Sequence, residues 1–210
     1  MKNNSRNQRR RIHKSWLRAF RDGIFFRNPV LTTGAGLYFV LTGSQSMGRA
    51  TALSLLTVCL MLPACAVGNL LGRRIAYWLR LPLALLVSAL AAVPAQMLVQ
   101  WAFPQTTVEW GFLGLLSISN AVLLVRASRY APEKSFGAAI ADALGCAAGF
   151  SLLLFILAAV WSVLYGMELP GQTSFSRAPV MVGLLVLACL AAAVQYIQNR
   201  REKRERGRTL

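Results

Sequence analysis

Negative charge is nearly missing from this chain. Seven of its 210 residues are Asp or Glu, against 23 Lys and Arg, and charged residues of both signs make up 14%. A soluble domain carries roughly a quarter charged residues, so a solvated globule is excluded as the general class. Histidine is scarce as well. The one imidazole, His13, lies in a basic N-terminal segment and offers no haem or zinc site. The four cysteines include no CxxC pair and no secreted disulfide pattern. No nucleophile–base–acid constellation and no phosphate-cradling glycine loop is present, which leaves no catalysis for the chain itself. The excess of basic residues comes without a basic groove rich in aromatics, so nucleic acid is not expected as a partner.

What the chain has in abundance is apolar sequence, 56% of all residues. Six stretches carry no charge: Asn28–Gly48, Ala50–Gly72, Leu81–Val108, Trp110–Val125, Ala143–Met167 and Ala178–Asn199. A helix crossing the hydrocarbon core needs about 20 mostly apolar residues. Four stretches meet that length; the first is long but polar, and the fourth is short. Cytoplasmic loops are enriched in Lys and Arg. With the N-terminus inside, all the basic residues except Arg49 and Arg177 fall on the cytoplasmic side. The expected organisation is a basic cytoplasmic segment over 1–27, a six-span domain over 28–199 and a basic cytoplasmic tail over 200–210, in the cell inner membrane. Residues Ile12, Trp16, Leu17, Phe20, Ile24 and Phe25 fall near one helical face. That pattern predicts an interfacial helix held by apolar burial and anionic lipid. The segment has neither the apolar core nor the cleavage site of a signal peptide.

Spans one and four are the odd members of two three-span halves. The first carries Thr32-Thr33-Gly34-Ala35-Gly36 and Thr42-Gly43-Ser44; the fourth carries Gly114 and Ser117-Ile118-Ser119-Asn120-Ala121. Short or glycine-interrupted segments at matching positions of two halves are the mark of an inverted repeat with discontinuous helices. The fold class expected is therefore all-α integral membrane, with six transmembrane helices forming two inverted three-helix repeats and spans 1 and 4 discontinuous. Unwound backbone in lipid must be satisfied by protein or face a cavity, so the two breaks are expected to meet. Spacing alone leaves a second reading open, in which both spans are continuous tilted helices packed through small residues.

Polar groups within the spans are few. Asp142 is the one acid placed inside a span, where ionisable groups are functional candidates by default; a packing role with Arg126 or Lys134 is the simpler assignment. Asn120 and Asn69 are expected to hydrogen-bond neighbouring helices or broken backbone. Trp78, Trp101, Trp110 and Trp161 are placed in interfacial aromatic belts. Cys59, Cys65, Cys146 and Cys189 are read as small buried hydrophobes.

Several ordered fragments resemble one family. Asn28-Pro29-Val30-Leu31 through Gly34-Ala35-Gly36-Leu37 is similar to the first span of the Rnf/Nqr membrane subunits. Gly68-Asn69-Leu70, Arg80-Leu81-Pro82, Ala102-Phe103-Pro104, Ser119-Asn120-Ala121, Val125-Arg126-Ala127 and Asp142 ahead of Gly145 and Gly149 follow in register. The charge pattern resembles the RnfE/NqrD type, related to RnfA/NqrE. The resemblance implies a subunit of an ion-translocating NADH:quinone or ferredoxin:NAD oxidoreductase, paired with an oppositely oriented homologous six-span subunit beside other redox-complex subunits. It also implies an intramembrane iron–sulfur cluster held by one cysteine from each broken helix of the pair; thiolates are what such a cluster needs. Here the two family cysteines align with Gly36 and Ala121, which cannot ligate iron. Ser128 replaces an acid of the family pattern, and Trp161-Ser162 replaces an Arg-Glu pair. The expectation is a non-catalytic scaffold subunit that binds no metal or cofactor alone, a cluster being available only through partner ligands. The alternative is a small ion or solute transporter on the same inverted repeat, in which Asp142 would be central.

Overall fold

The computed structural model of the protein describes residues 20, 24, 30, 34–104, 114, 116–165 and 177–206. Regular structure among the described residues is entirely helical. Three long apolar helices dominate: α2 (Met47–Leu71), α3 (Arg80–Ala102) and α5 (Phe136–Tyr165). Each is long and apolar enough to cross a bilayer. The last helix, α6 (Arg177–Arg206), has an apolar stretch over Met181–Ile197 and a basic end. Two short helices complete the set, α1 (Leu37–Gly43) and α4 (Ala121–Val125). Apart from Phe20 and Ile24, segment 1–27 lies outside the described residues, as do Trp110, Glu109 and Glu168.

The core is the α2–α5 contact, and α3 also packs against α2. On α2 the buried positions Leu53, Leu56, Thr57, Leu60, Met61, Ala64, Cys65 and Gly68 recur every three or four residues. On α5 Ala139, Asp142, Ala143, Cys146, Ala147, Phe150, Leu154, Leu157 and Trp161 do the same. This spacing puts each set on one helix face. Apolar side chains cover the other faces too, as expected of helices surrounded by protein and lipid. Hydroxyls inside the helices are satisfied locally. Ser54, Thr57 and Ser88 each donate to the carbonyl four residues back, at 2.7 Å.

Among the described residues, two of the places where the apolar sequence leaves helical geometry are Gly34–Gly36 and Asn120. Gly34 donates to the Val30 carbonyl at 3.0 Å and adopts φ 68°, the geometry of a left-handed helix terminus. Gly36 repeats the left-handed conformation, φ 78° and ψ 13°, and α1 starts at the next residue. Later, a 3-10 turn over Ser117–Ser119 ends at Asn120, whose φ −58° and ψ 116° are not helical. The Asn120 side chain then caps α4 by accepting from Val122 N–H at 3.1 Å. After α4 the backbone widens into a π turn, Arg126–Tyr130, and tightens into a 3-10 turn, Ala131–Glu133, before α5.

Two sequence expectations are overturned. Cys189 is exposed on α6 and Cys59 only half-buried on α2, so only Cys65 and Cys146 are buried thiols among the described residues. Trp161 does not sit in an aromatic belt: it is 4% exposed, and its indole N–H donates to Ser44 Oγ at 3.2 Å. A buried indole needs an acceptor, and the turn between α1 and α2 supplies one that sequence spacing does not reveal. Trp78 and Trp101, by contrast, are 72% and 86% exposed.

Candidate functional site

Two sites contain the polar and interrupted elements singled out in the sequence. In the first, the two non-helical points touch. A Cβ built on Gly36 would stand 2.9 Å from Val122 Cγ2, 3.0 Å from Asn120 Oδ1 and 3.7 Å from Phe150 Cε2. Gly36 is therefore needed twice, once for its left-handed backbone and once because α4 occupies the space a side chain would take. Asn120 is buried, while its neighbour Ala121 faces outward from the chain, as does Ser119. Gly36, half-buried, is thus held against the start of α4, whose first residue is the exposed Ala121. Val122 and Phe150 are the partners that sequence reasoning missed; only the short Asn120–Val122 separation hinted at the first.

The second site is a buried ion pair at the other end of α4. Arg126 Nη1 donates to Asp142 Oδ2 at 2.8 Å, with the residues 1% and 6% exposed. The same guanidinium stacks 4.6 Å from the Tyr130 ring centroid. Asp142 lies six residues into α5, about 9 Å along its axis. Cys65 and Cys146 are buried beside this pair. Asn69, near the end of α2, donates through Nδ2 to the carbonyls of Ala131 and Lys134. Arg73 donates to the carbonyls of Pro132, at 2.7 Å, and of Lys134. These bonds satisfy the carbonyls of the turn between α4 and α5, where irregular backbone has few helical partners. Gly68 lets that turn approach, because a Cβ there would stand 2.3 Å from the Ala127 carbonyl oxygen. The arrangement is a clamp: α2 holds the turn, and Arg126 ties it to α5.

An iron–sulfur cluster, as the resemblance implies, requires thiolates at Gly36 and Ala121. The residues present do not fit one. Position 36 has neither a donor nor room for a Cβ, and position 121 offers a methyl group. The cysteines sit elsewhere: Cys59 is half-buried on α2, Cys189 is exposed on α6, and Cys65 and Cys146 are buried at the ion pair. Among the described residues no group of three or more His, Cys, Asp or Glu is gathered as metal ligands.

Sequence comparison agrees with the resemblance. Residues 16–198 match the family described as Rnf-Nqr subunit, membrane protein. The chain is 26% identical over 142 residues to a Shewanella amazonensis protein named as a subunit of an ion-translocating oxidoreductase complex, covering 68% of this chain and 61% of that protein. It is 29% identical over 138 residues to the protein of the same name from Pseudomonas paraeruginosa, covering 65% and 57%. A third relative, from Acetobacterium woodii, is named as a subunit of a Na(+)-translocating ferredoxin:NAD(+) oxidoreductase complex. It is 26% identical over 165 residues, covering 79% and 84%. The chain thus spans less than two thirds of the first two relatives.

Proposed function

This chain belongs to the Rnf-Nqr family of membrane subunits, and on that premise we propose that it is a non-catalytic subunit of an ion-translocating electron-transport complex, without cluster ligands of its own. In this reading it spans the membrane six times as two inverted three-helix repeats, with spans one and four interrupted at Gly34–Gly36 and Asn120. Both termini are cytoplasmic. It pairs with an oppositely oriented homologous subunit, and the start of α4, with Ala121 exposed, faces that partner. Support for the repeat comes from the contact between the two non-helical points, one from each half. The left-handed glycines and the Asn120 cap stand where the interruptions are required.

The observation that carries the reading is the environment of Gly36. A side chain at this position would meet a left-handed backbone and the side chains of Val122 and Asn120. The chain then contributes shape to the pair, and electrons are carried by cofactors on partner chains. The transport alternative depends on Asp142 as an ion site. The carboxylate is already bound to Arg126, which favours the redox-scaffold reading. The test is purification of the tagged chain, first alone and then with its co-expressed genomic neighbours. The expected result is redox subunits co-purifying in fixed proportion, with iron and visible absorption in the complex but not in the chain alone. Stoichiometric iron and acid-labile sulfide on the isolated chain would overturn the proposal.

A further inference from the structure

The turn between α2 and α3 carries a patch that the redox role leaves unused. Arg73, Arg74 and Arg80 lie within eight residues, and no acid occurs in the sequence between Asp22 and Glu109. Among the described residues, none of the three is paired with a carboxylate. Arg73 is anchored by the Pro132 and Lys134 carbonyls, which fixes where its charge stands. Arg74 is exposed. Arg80 stands over the Tyr77 ring, 5.6 Å from its centroid, and its Nε is enclosed without a hydrogen-bond acceptor among the described residues. Tyr77 and Trp78 are largely exposed on the 3-10 turn Tyr77–Leu79, at the point where α3 enters the apolar layer. Directly below them, the outer surface of α3 exposes Leu81, Leu85 and Leu86.

We propose that this turn binds the headgroup of an anionic phospholipid, with the arginines on the phosphate and an acyl chain along the exposed leucines of α3. Three guanidiniums offer more donors than the protein uses, and guanidinium matches phosphate oxygens in pairs. Interfacial Tyr and Trp place their rings at headgroup depth. Lipid rather than free phosphate is the ligand, because a small anion would leave Trp78 and the leucines uncovered. The inference is independent of the redox proposal, since it uses none of the residues at the Gly36–Asn120 contact.

The test uses the full chain in nanodiscs of phosphatidylcholine containing bromine-labelled phosphatidylglycerol or bromine-labelled phosphatidylcholine. Bromine quenches nearby indoles, and the signal from position 78 is isolated by comparison with Trp78→Phe. The expected result is stronger quenching by the anionic lipid. That preference should fall about fivefold for each of Arg74→Gln and Arg80→Gln, fall less in Arg74→Lys/Arg80→Lys, which keeps the charge and loses the paired geometry, and be unchanged in Arg200→Gln. Inorganic phosphate should displace the lipid no better than chloride at equal ionic strength. Equal quenching by the two lipids in the unmodified protein overturns the proposal. So does a preference that persists without Arg74 and Arg80, or specific displacement by phosphate.

Discussion

The two ends of α4 solve the same problem in opposite ways. At its N-terminus, irregular backbone is held by the absence of side chains: Gly36 makes room, and Asn120 turns inward to cap its own helix. At its C-terminus, the irregular turn is held by long polar side chains, with Asn69 and Arg73 on its carbonyls and Arg126 on Asp142. The first end carries no ligating side chain at Gly36 or Ala121. The second keeps charged and polar groups, and Asn69, Arg73, Arg126 and Asp142 are all engaged in holding structure. Polar residues inside a membrane domain are therefore poor guides to function until their partners are known.

The largest effect tests the polar end. Replacing either Asp142 or Arg126 by Ala breaks a buried ion pair and should destabilise the fold by about 3–5 kcal/mol, read by reversible unfolding in mixed micelles. The double replacement Arg126→Leu/Asp142→Leu should lose less than either single change. If it loses as much as the sum, the pair is not the unit described. The emptied end comes next. Gly36→Ala should lose about 2–4 kcal/mol, from left-handed strain and overpacking together. Adding Val122→Ala should recover only the packing share, so a full recovery would deny the backbone share. Asn69→Ala should lose about 1–3 kcal/mol by stranding carbonyls of the turn. Hydrogen exchange should rise at residues 131–135 and stay unchanged at Gly36. The smallest effect is expected at the far end of α5, where Trp161→Phe removes the bond to Ser44. A loss of about 0.6 kcal/mol is typical for one such bond between membrane helices, measurable in the same unfolding assay.

Much of this was legible in the residues. Apolar length and the lack of charge marked the three long apolar helices, and α2 and α3 start within three residues of the charge-free stretches while α5 starts seven residues earlier. The glycines of the first half pointed to non-helical backbone, because only glycine adopts positive φ at little cost. The pairing of Asp142 with Arg126 was one of two candidates, since both Arg126 and Lys134 precede α5. Trp161 was misplaced because proximity to a helix end says nothing about which way an indole faces. Cys65 and Cys146 were unconnected in the sequence, 81 positions apart, and only the packing of α2 on α5 puts both beside one ion pair.

Composition and periodicity alone determined that the chain is an all-helical membrane protein, because lipid accepts backbone only when its amides bond internally. Motif order placed it among its relatives, and neither Gly36 nor Ala121 carries a thiol. Tertiary structure decided the rest: that Gly36 abuts Asn120 and Val122, that Asp142 is neutralised rather than available, and that Trp161 is core. Those are contacts between residues distant in sequence, and helix packing in an apolar chain has no local signature that announces them.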